Sequence, residues 1–179
     1  MYIKGQDLVI CLLLCRRAEP RWTYGELAES LGMSVGGTNL AVHRALAAGL
    51  LMVSPEAAGK PIPRRRALLE FLEHGIAVAF HVEPGRVVRG LPTAHSAPPL
   101  DRMIAPLANE LPLVWPDPDG QVRGRSVTPL YKSVPQIARR DAGLYELLAL
   151  VDGIRCGSNR ELQLCRTELR RRLIDSDAP

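Results

Sequence analysis

The sequence lacks the features that would place it in a membrane or in an oxidising compartment. No run approaches about 18 consecutive apolar residues, so a transmembrane helix is not expected. The nearest candidate, residues 8–15, is too short and has no small-residue cleavage site of a secretory signal. The four cysteines form no CxxC pair and no zinc-spaced cluster, which favours buried thiols. We therefore expect a cytoplasmic protein with no metal and no cofactor.

Complete catalytic motifs are also absent. There is no G-x-S-x-G, no P-loop and no dinucleotide fingerprint. His81 and Glu83 have the H-x-E spacing of zinc deaminases, but the P-C-x-x-C partner is missing. His95, Ser96 and Asp101 are residue types of a catalytic triad, but they stand close together with no supporting motif. We predict that the chain is not an enzyme.

The excess of positive over negative charge is confined to the first third of the chain. The 179 residues have a formal net charge of +4. Residues 1–66 contain nine Lys or Arg and five Asp or Glu, whereas the remaining 113 residues contain 14 of each. This asymmetry predicts that only the N-terminal part faces a polyanion such as nucleic acid.

Proline divides the chain into three parts. Ten of the 15 prolines fall between Pro84 and Pro135, and proline fixes φ and removes a donor, so this stretch cannot hold a long helix. We predict a helical part over 1–75, a proline-rich middle over 76–138 and C-terminal helices over 139–179. The fold class expected is mainly α with minor β, and the predicted short strands of the middle are residues 76–82, 87–88 and 113–115.

Capping residues mark the helices of the first part. Asp7 is predicted to cap a helix that ends near residue 16, and Thr23 with Glu26 forms a capping box for a second helix. Gly32 is placed to end that helix, and Ser34 to cap a third one that ends at residue 49. Two short helices joined by a glycine-containing turn form the helix-turn-helix pattern, whose second helix enters the DNA major groove.

The third helix has two faces. A core stripe opposes a face with little reason to be buried. On that outer face the Asn39 amide suits adenine, the Arg44 guanidinium suits guanine or phosphate, and His43 suits either phosphate or solvent. The predicted core stripe is Thr38, Ala41, Val42, Ala45 and Leu46, and the predicted outer face is Val35, Gly36, Asn39, Leu40, His43 and Arg44.

The runs LAESLGMS at 27–34, AVHRAL at 41–46 and GLL at 49–51 resemble the winged helix-turn-helix of bacterial MarR-like transcriptional regulators. The resemblance covers residues 5–53. It implies a recognition helix over 34–48, followed by a β-hairpin wing. Pro61 and Pro63 cannot both supply ladder donors, so we expect the wing to be shortened.

Glycine and arginine add two further candidates. Gly36 and Gly37, in the first turn of the recognition helix, reflect either fraying or a close approach of backbone to phosphate. A fourth helix is predicted over 64–74, with Gly75 as its stop. Three arginines at its positive end suggest phosphate partners. The complete predicted DNA-binding set is Thr23, Ser34, Val35, Gly36, Gly37, Asn39, His43, Arg44, Lys60, Arg64, Arg65 and Arg66.

The C-terminal part predicts a pair of helices. Ser158 and Glu161 form a second capping box ahead of the last helix. That helix carries a narrow apolar seam, which is either a core contact or a dimer interface, and we favour dimerisation because two DNA half-sites need a two-fold protein. The seam is Leu162, Cys165, Leu169 and Leu173.

These patterns predict a sequence-specific regulator of transcription that binds double-stranded DNA, acting as a dimeric repressor. The alternative is a protein-interaction module or antitoxin-like adaptor that grips a protein partner through its middle and C-terminal parts. A small-molecule sensor is a third possibility, and it needs an apolar pocket between the middle segment and the helices.

Overall fold

The computed structural model describes residues 2–17, 21–57, 59–105, 110–157 and 159–175, and it is mainly helical with small sheets. Its helices are α1 (Gly5–Cys15), α2 (Tyr24–Leu31), α3 (Val35–Ala47), α4 (Arg65–His74), α5 (Ile76–Ala79), α6 (Val134–Arg140), α7 (Ala142–Cys156) and α8 (Asn159–Leu173). Its strands are β1 (Leu51–Val53), β2 (Pro61–Pro63), β3 (Val87–Pro92), β4 (Leu113–Pro116) and β5 (Val122–Ser126). Short 3-10 turns at Pro55–Ala57, Ala94–Ser96 and Leu100–Arg102 connect them.

Helix α1 lies at the centre of the core. Every residue from Leu8 to Cys15 is buried, and a helix that is apolar all round must be covered on all sides. The helices α3 and α7 and the strand β2 pack against it. The prediction that Asp7 is the N-cap residue of this helix is wrong, because α1 begins at Gly5 and its N-cap is Lys4. Asp7 is its third residue, and its carboxylate accepts the Lys4 backbone N–H at 2.8 Å.

The middle part of the chain forms a small sheet. Strand β3 pairs antiparallel with both β4 and β5, which pair in parallel with each other. Gly90 and Gly124 permit this tight arrangement, because a Cβ on either would lie 2.1 Å from a backbone oxygen of Trp115 or Pro112. The strands predicted at 87–88 and 113–115 are confirmed.

The predicted strand over residues 76–82 is wrong. Residues Ile76–Ala79 form the short helix α5 instead, and the chain is irregular from Phe80 to the start of β3. Ile76 is fully buried, and α5 packs against α7. β-branched residues favour a strand only where a partner strand is available, and β3, β4 and β5 are already paired with one another.

The apolar seam of α8 is a core contact. Cys165, Leu169 and Leu173 are fully buried within this single chain, where α8 packs against α7 and α4. The prediction that the seam forms a dimer interface is therefore wrong, since α7 supplies the apolar partner. The predicted cap Ser158 lies outside the described residues.

The three parts predicted from the sequence share one apolar core. Helix α1 packs on α7, α4 packs on α8, and α2 packs on α6. The N-terminal helices are therefore held by the C-terminal helices along their inner sides. Among the helices of the described residues, none is both long enough and apolar enough to cross a membrane.

Candidate nucleic-acid interface

Two helix caps and one glycine fix the turn between α2 and α3. The Thr23 hydroxyl accepts the Glu26 backbone N–H at 3.2 Å, and the Glu26 carboxylate accepts the Thr23 N–H at 2.7 Å. Gly32 ends α2 at φ 59°, and the Ser34 hydroxyl accepts the Gly37 N–H at 3.1 Å. The predicted capping roles of Thr23, Gly32 and Ser34 are confirmed, and a short turn joins the two helices.

Helix α3 has one face in the core and one at the surface. Thr38, Ala41, Val42 and Ala45 are fully buried. Gly36, Leu40 and His43 recur at i, i+4 and i+7 on the opposite side, and the Leu40 side chain is 60% exposed. Val35 is exposed at the first residue of the helix, whereas Asn39 and Gly37 are half-buried.

Arg44 does not belong to the exposed face. Its side chain is buried, with Nη2 2.6 Å from Asp7 Oδ1 and Nε 2.8 Å from Asp7 Oδ2. The prediction that Arg44 reads a base is corrected accordingly. Asp7 is fully buried in α1, and an isolated buried carboxylate is so costly that the guanidinium is held inward as its partner. The pair raises the pKa of Arg44 through the Asp7 hydrogen bond, so the guanidinium keeps its charge.

A short hairpin follows α3. Strands β1 and β2 pair antiparallel with Leu51 opposite Pro63, Met52 opposite Ile62 and Val53 opposite Pro61. The Arg64 N–H donates to the Leu50 carbonyl at 2.9 Å. Because hydrogen-bonded and non-hydrogen-bonded pairs alternate along an antiparallel ladder, both prolines fall at positions that need no donor. Each strand is three residues long, and Met52 and Val53 are exposed.

Lys60 lies beside the start of α2. Its Nζ is 5.3 Å from the ring centroid of Trp22 and 5.8 Å from that of Tyr24. A cation over two aromatic faces is held in place while its ammonium stays partly in solvent. Thr23, another predicted site residue, stands between these two aromatics and is exposed. The loop of the hairpin therefore carries a positive charge next to the α2 N-terminus.

The side chains of the three arginines at the start of α4 lie in different environments. Arg65 is half-buried and donates to the carbonyls of Cys15 at 2.8 Å and Leu173 at 3.1 Å, the last residues of α1 and α8. A guanidinium at two helix C-termini stabilises both, so Arg65 acts within the fold. Arg64 is exposed and donates to the Gly49 carbonyl at 3.3 Å, just beyond α3. Arg66 is exposed and makes no hydrogen bond or ion pair among the described residues.

A second cluster of polar side chains lines a cavity of about 220 Å³ away from α3. His95 Nδ1 lies 3.4 Å from Glu161 Oε1, and His95 Nε2 lies 3.9 Å from Glu110 Oε1. The Glu161 carboxylate raises the pKa of His95, and Glu110 adds to this while burial opposes it. Ser96 and Asp101 also line the cavity, but the Ser96 hydroxyl accepts the Leu113 backbone N–H. Among the described residues no group of His, Cys, Asp or Glu is suited to hold a metal ion.

A buried polar network that the sequence did not reveal joins the middle part to α7. The fully buried Asp152 carboxylate accepts the Trp115 indole N–H at 2.5 Å and the Thr93 hydroxyl at 3.0 Å, and it pairs with Arg155 at 2.5 Å. Burial raises the pKa of Asp152, and these three donors oppose the rise. The spacing of Asp152 and Arg155 at i, i+3 inside an apolar helix was the available signal. Because the Asp152 carboxylate is bound by all three donors, we assign this network a structural role.

Comparisons of the chain with protein-family models, curated proteins and solved structures found no match. The residues of the chain itself are therefore the evidence for its function. The structure brings Val35, Gly36, Asn39, Leu40 and His43 together on the outer side of α3. Lys60, Arg64 and Arg66 lie on the hairpin and α4, and Arg44 and Arg65 are turned into the fold.

Proposed function

We propose that the chain is a sequence-specific regulator of transcription that binds double-stranded DNA through a winged helix-turn-helix, with α3 as the recognition helix and the β1–β2 hairpin as a shortened wing. The observation that carries this proposal is the free outer face of α3. Gly36, Leu40 and His43 are exposed along two turns of a 13-residue helix that α2 braces from behind. An exposed, braced helix of this length suits the width of the major groove.

The placement of charge supports the same proposal. Lys60, Arg64 and Arg66 are at least partly exposed, and none of them has a carboxylate partner within the part of the chain that the structure describes. Three arginines of α8 are instead paired with carboxylates, Arg170 with Glu73 at 2.9 Å, Arg171 with Glu168 at 2.9 Å and Arg172 with Glu146 at 2.8 Å. Unpaired cations beside the hairpin are available to phosphates, and cations in internal ion pairs are not.

The test compares two arginine variants in DNA binding. A duplex is first recovered from a random-sequence pool by repeated selection with the wild-type chain at low salt. Its affinity for the wild type, Arg66→Ala and Arg123→Ala is then measured by fluorescence anisotropy from about 50 to 200 mM salt. Both arginines are exposed and both variants remove one positive charge, but Arg123 lies on β5 in the electroneutral part of the chain.

We expect Arg66→Ala to weaken binding and to reduce the slope of log K against log salt by about 0.9, the contribution of one phosphate contact. Arg123→Ala should leave both the affinity and the slope unchanged. Arg66→Ala removes a cation from the positive end of α4, so the loss cannot be attributed to unfolding. Equal behaviour of the two variants, or a chain that selects no duplex, contradicts the proposal.

A protein-interaction module is the second candidate function, and one observation favours it. Four apolar side chains of α3 and the hairpin are exposed, which suits a protein surface as well as a groove of DNA. They are Val35 at 54%, Leu40 at 60%, Met52 at 46% and Val53 at 56%. Co-purification of a stoichiometric protein partner, lost in Leu40→Asp but kept in Arg66→Ala, would favour this function over DNA binding.

A further inference from the structure

The outer face of α3 carries no formal charge. Within Val35–Ala47 there is no carboxylate, and Arg44 is the one formally charged side chain. Because Arg44 is turned inward to Asp7, the exposed part of the helix presents Gly36, Leu40 and His43, with Asn39 at its edge. This combination of an apolar centre and one amide limits which bases the helix can read.

The four base pairs differ in what they present in the major groove. Guanine shows two acceptors, which arginine or lysine reads with a pair of donors, and α3 exposes neither residue. Thymine shows its C5-methyl group, which is read by apolar contact, and adenine shows a donor and an acceptor that an asparagine amide matches. Leu40 and Asn39 therefore have the chemistry for the two halves of an A·T pair.

The helix also has room for a close approach at this point. A side chain on an α-helix covers the turn that precedes its own Cα, so Leu40 extends over Gly36. A Cβ placed on Gly36 would have no atom of the described residues within 4 Å. Packing inside the chain therefore does not require glycine there. Its lack of a side chain leaves space between the helix backbone and whatever Leu40 contacts.

We infer that Leu40 is a specificity-determining residue that contacts a thymine C5-methyl group, and that α3 selects A·T pairs at the centre of its site. The inference rests on the proposed DNA-binding function and names the bases that this helix reads. Charge supports DNA as the occupant of this face, since Lys60, Arg64 and Arg66 lie on the hairpin and at the start of α4, next in the chain to α3. A protein partner on the same face would not respond to a change confined to the thymine methyl group.

The experiment removes the methyl group and the leucine separately. The duplex selected by the wild-type chain is synthesised in two forms, one with thymidine and one with deoxyuridine at every thymidine position. Affinities of both duplexes are measured for the wild type, for Leu40→Ala and for Leu111→Ala. Leu111 is 47% exposed and lies just before β4, so it gives a matched leucine truncation away from α3.

Each buried methyl contact should contribute about fourfold in affinity. We expect the wild type and Leu111→Ala to bind the thymidine duplex about fourfold or more tightly than the deoxyuridine duplex, and Leu40→Ala to bind both equally. Equal binding of both duplexes by the wild type overturns the inference while leaving the DNA-binding function intact. A preference for thymidine that persists in Leu40→Ala also overturns it, because the preference then comes from DNA stiffness or from another residue.

Failure of the proposed function has a different signature. A wild-type chain that recovers no duplex from the pool overturns both proposals together. A selected duplex rich in G·C pairs at its centre contradicts the inference alone.

Discussion

The buried pair of Arg44 and Asp7 links α3 to α1 through two hydrogen bonds of 2.6 and 2.8 Å. Arg44→Ala leaves the Asp7 carboxylate in the core without its cation, and breaking a buried pair in this way costs about 3–5 kcal/mol. We expect this loss in the free energy of unfolding, measured by urea denaturation with no DNA present. Arg16→Ala is the matched control, since its pair with Asp141 is partly exposed and surface pairs contribute less than about 1 kcal/mol.

The two variants separate a structural role from a role in DNA recognition. Equal stability of Arg44→Ala and the wild type would contradict the buried pair and return Arg44 to the exposed face. On a helical wheel, Arg44 lies at the boundary between the inner and outer faces of α3. Periodicity therefore could not decide its direction, and the partner that decides it lies 37 residues earlier in the chain.

At the scale of the helix, Gly36 gives a prediction in which stability and binding change in opposite directions. Alanine is a better helix former than glycine by up to about 1 kcal/mol, and the space around Gly36 is open. Gly36→Ala should therefore raise the free energy of unfolding. Its added methyl group on the outer face should weaken DNA binding by about 1 kcal/mol, or fivefold, if the backbone approaches the duplex there.

Gly25→Ala provides the control for this prediction. Gly25 occupies the second position of α2, as Gly36 does in α3, and among the described residues a Cβ on it would meet only the Thr23 hydroxyl, at 3.8 Å. It should gain similar stability without loss of DNA affinity. If Gly36→Ala binds DNA as well as the wild type does, fraying of the helix end is the better explanation for the glycine.

Local signals predicted the elements whose cause is local. The capping box at Thr23, the left-handed Gly32 and the Ser34 cap all concern hydrogen bonds within a few residues, and each is confirmed. The predictions that were wrong depend on contacts between residues far apart in the sequence. Residues 76–79 form a helix that packs against the distant α7, and the α8 seam is closed by the same helix. Of the candidate site, the outer face of α3 was predictable, but the inward turns of Arg44 and Arg65 depend on partners far away in sequence.

Across the whole molecule, long-range polar contacts fasten the N-terminal and middle parts to the C-terminal helices. Arg65 joins the ends of α1 and α8, and Asp152 holds Trp115 to α7. Residues 1–66 carry the net positive charge of the chain. Their helices α1 and α2 pack against α7 and α6, which belong to the electroneutral part. A rigid support behind α3 is what a helix needs if it is to enter a groove without bending away.

His95 adds a further polar contact between the middle part and α8, and the strength of this contact depends on pH. It belongs to the turn Ala94–Ser96 of the middle part and faces Glu161 of α8 and Glu110 ahead of β4. Because Glu161 raises the pKa of His95 in the folded chain, the folded state binds the proton more tightly than the unfolded state does. The stabilisation is therefore complete below the unfolded pKa of about 6.5, and it is lost as pH rises through the higher folded value.

We expect His95→Gln to lower the free energy of unfolding more at pH 5.5 than at pH 8.5, because the variant loses the protonated imidazole whose pKa Glu161 raises in the folded chain. The measurement is urea denaturation of the wild type and the variant at both pH values. Glu161→Gln, which removes the carboxylate and keeps the imidazole, should abolish most of the same pH dependence. A His95→Gln effect that is equal at both pH values would show that the protonated imidazole does not join the middle part to α8.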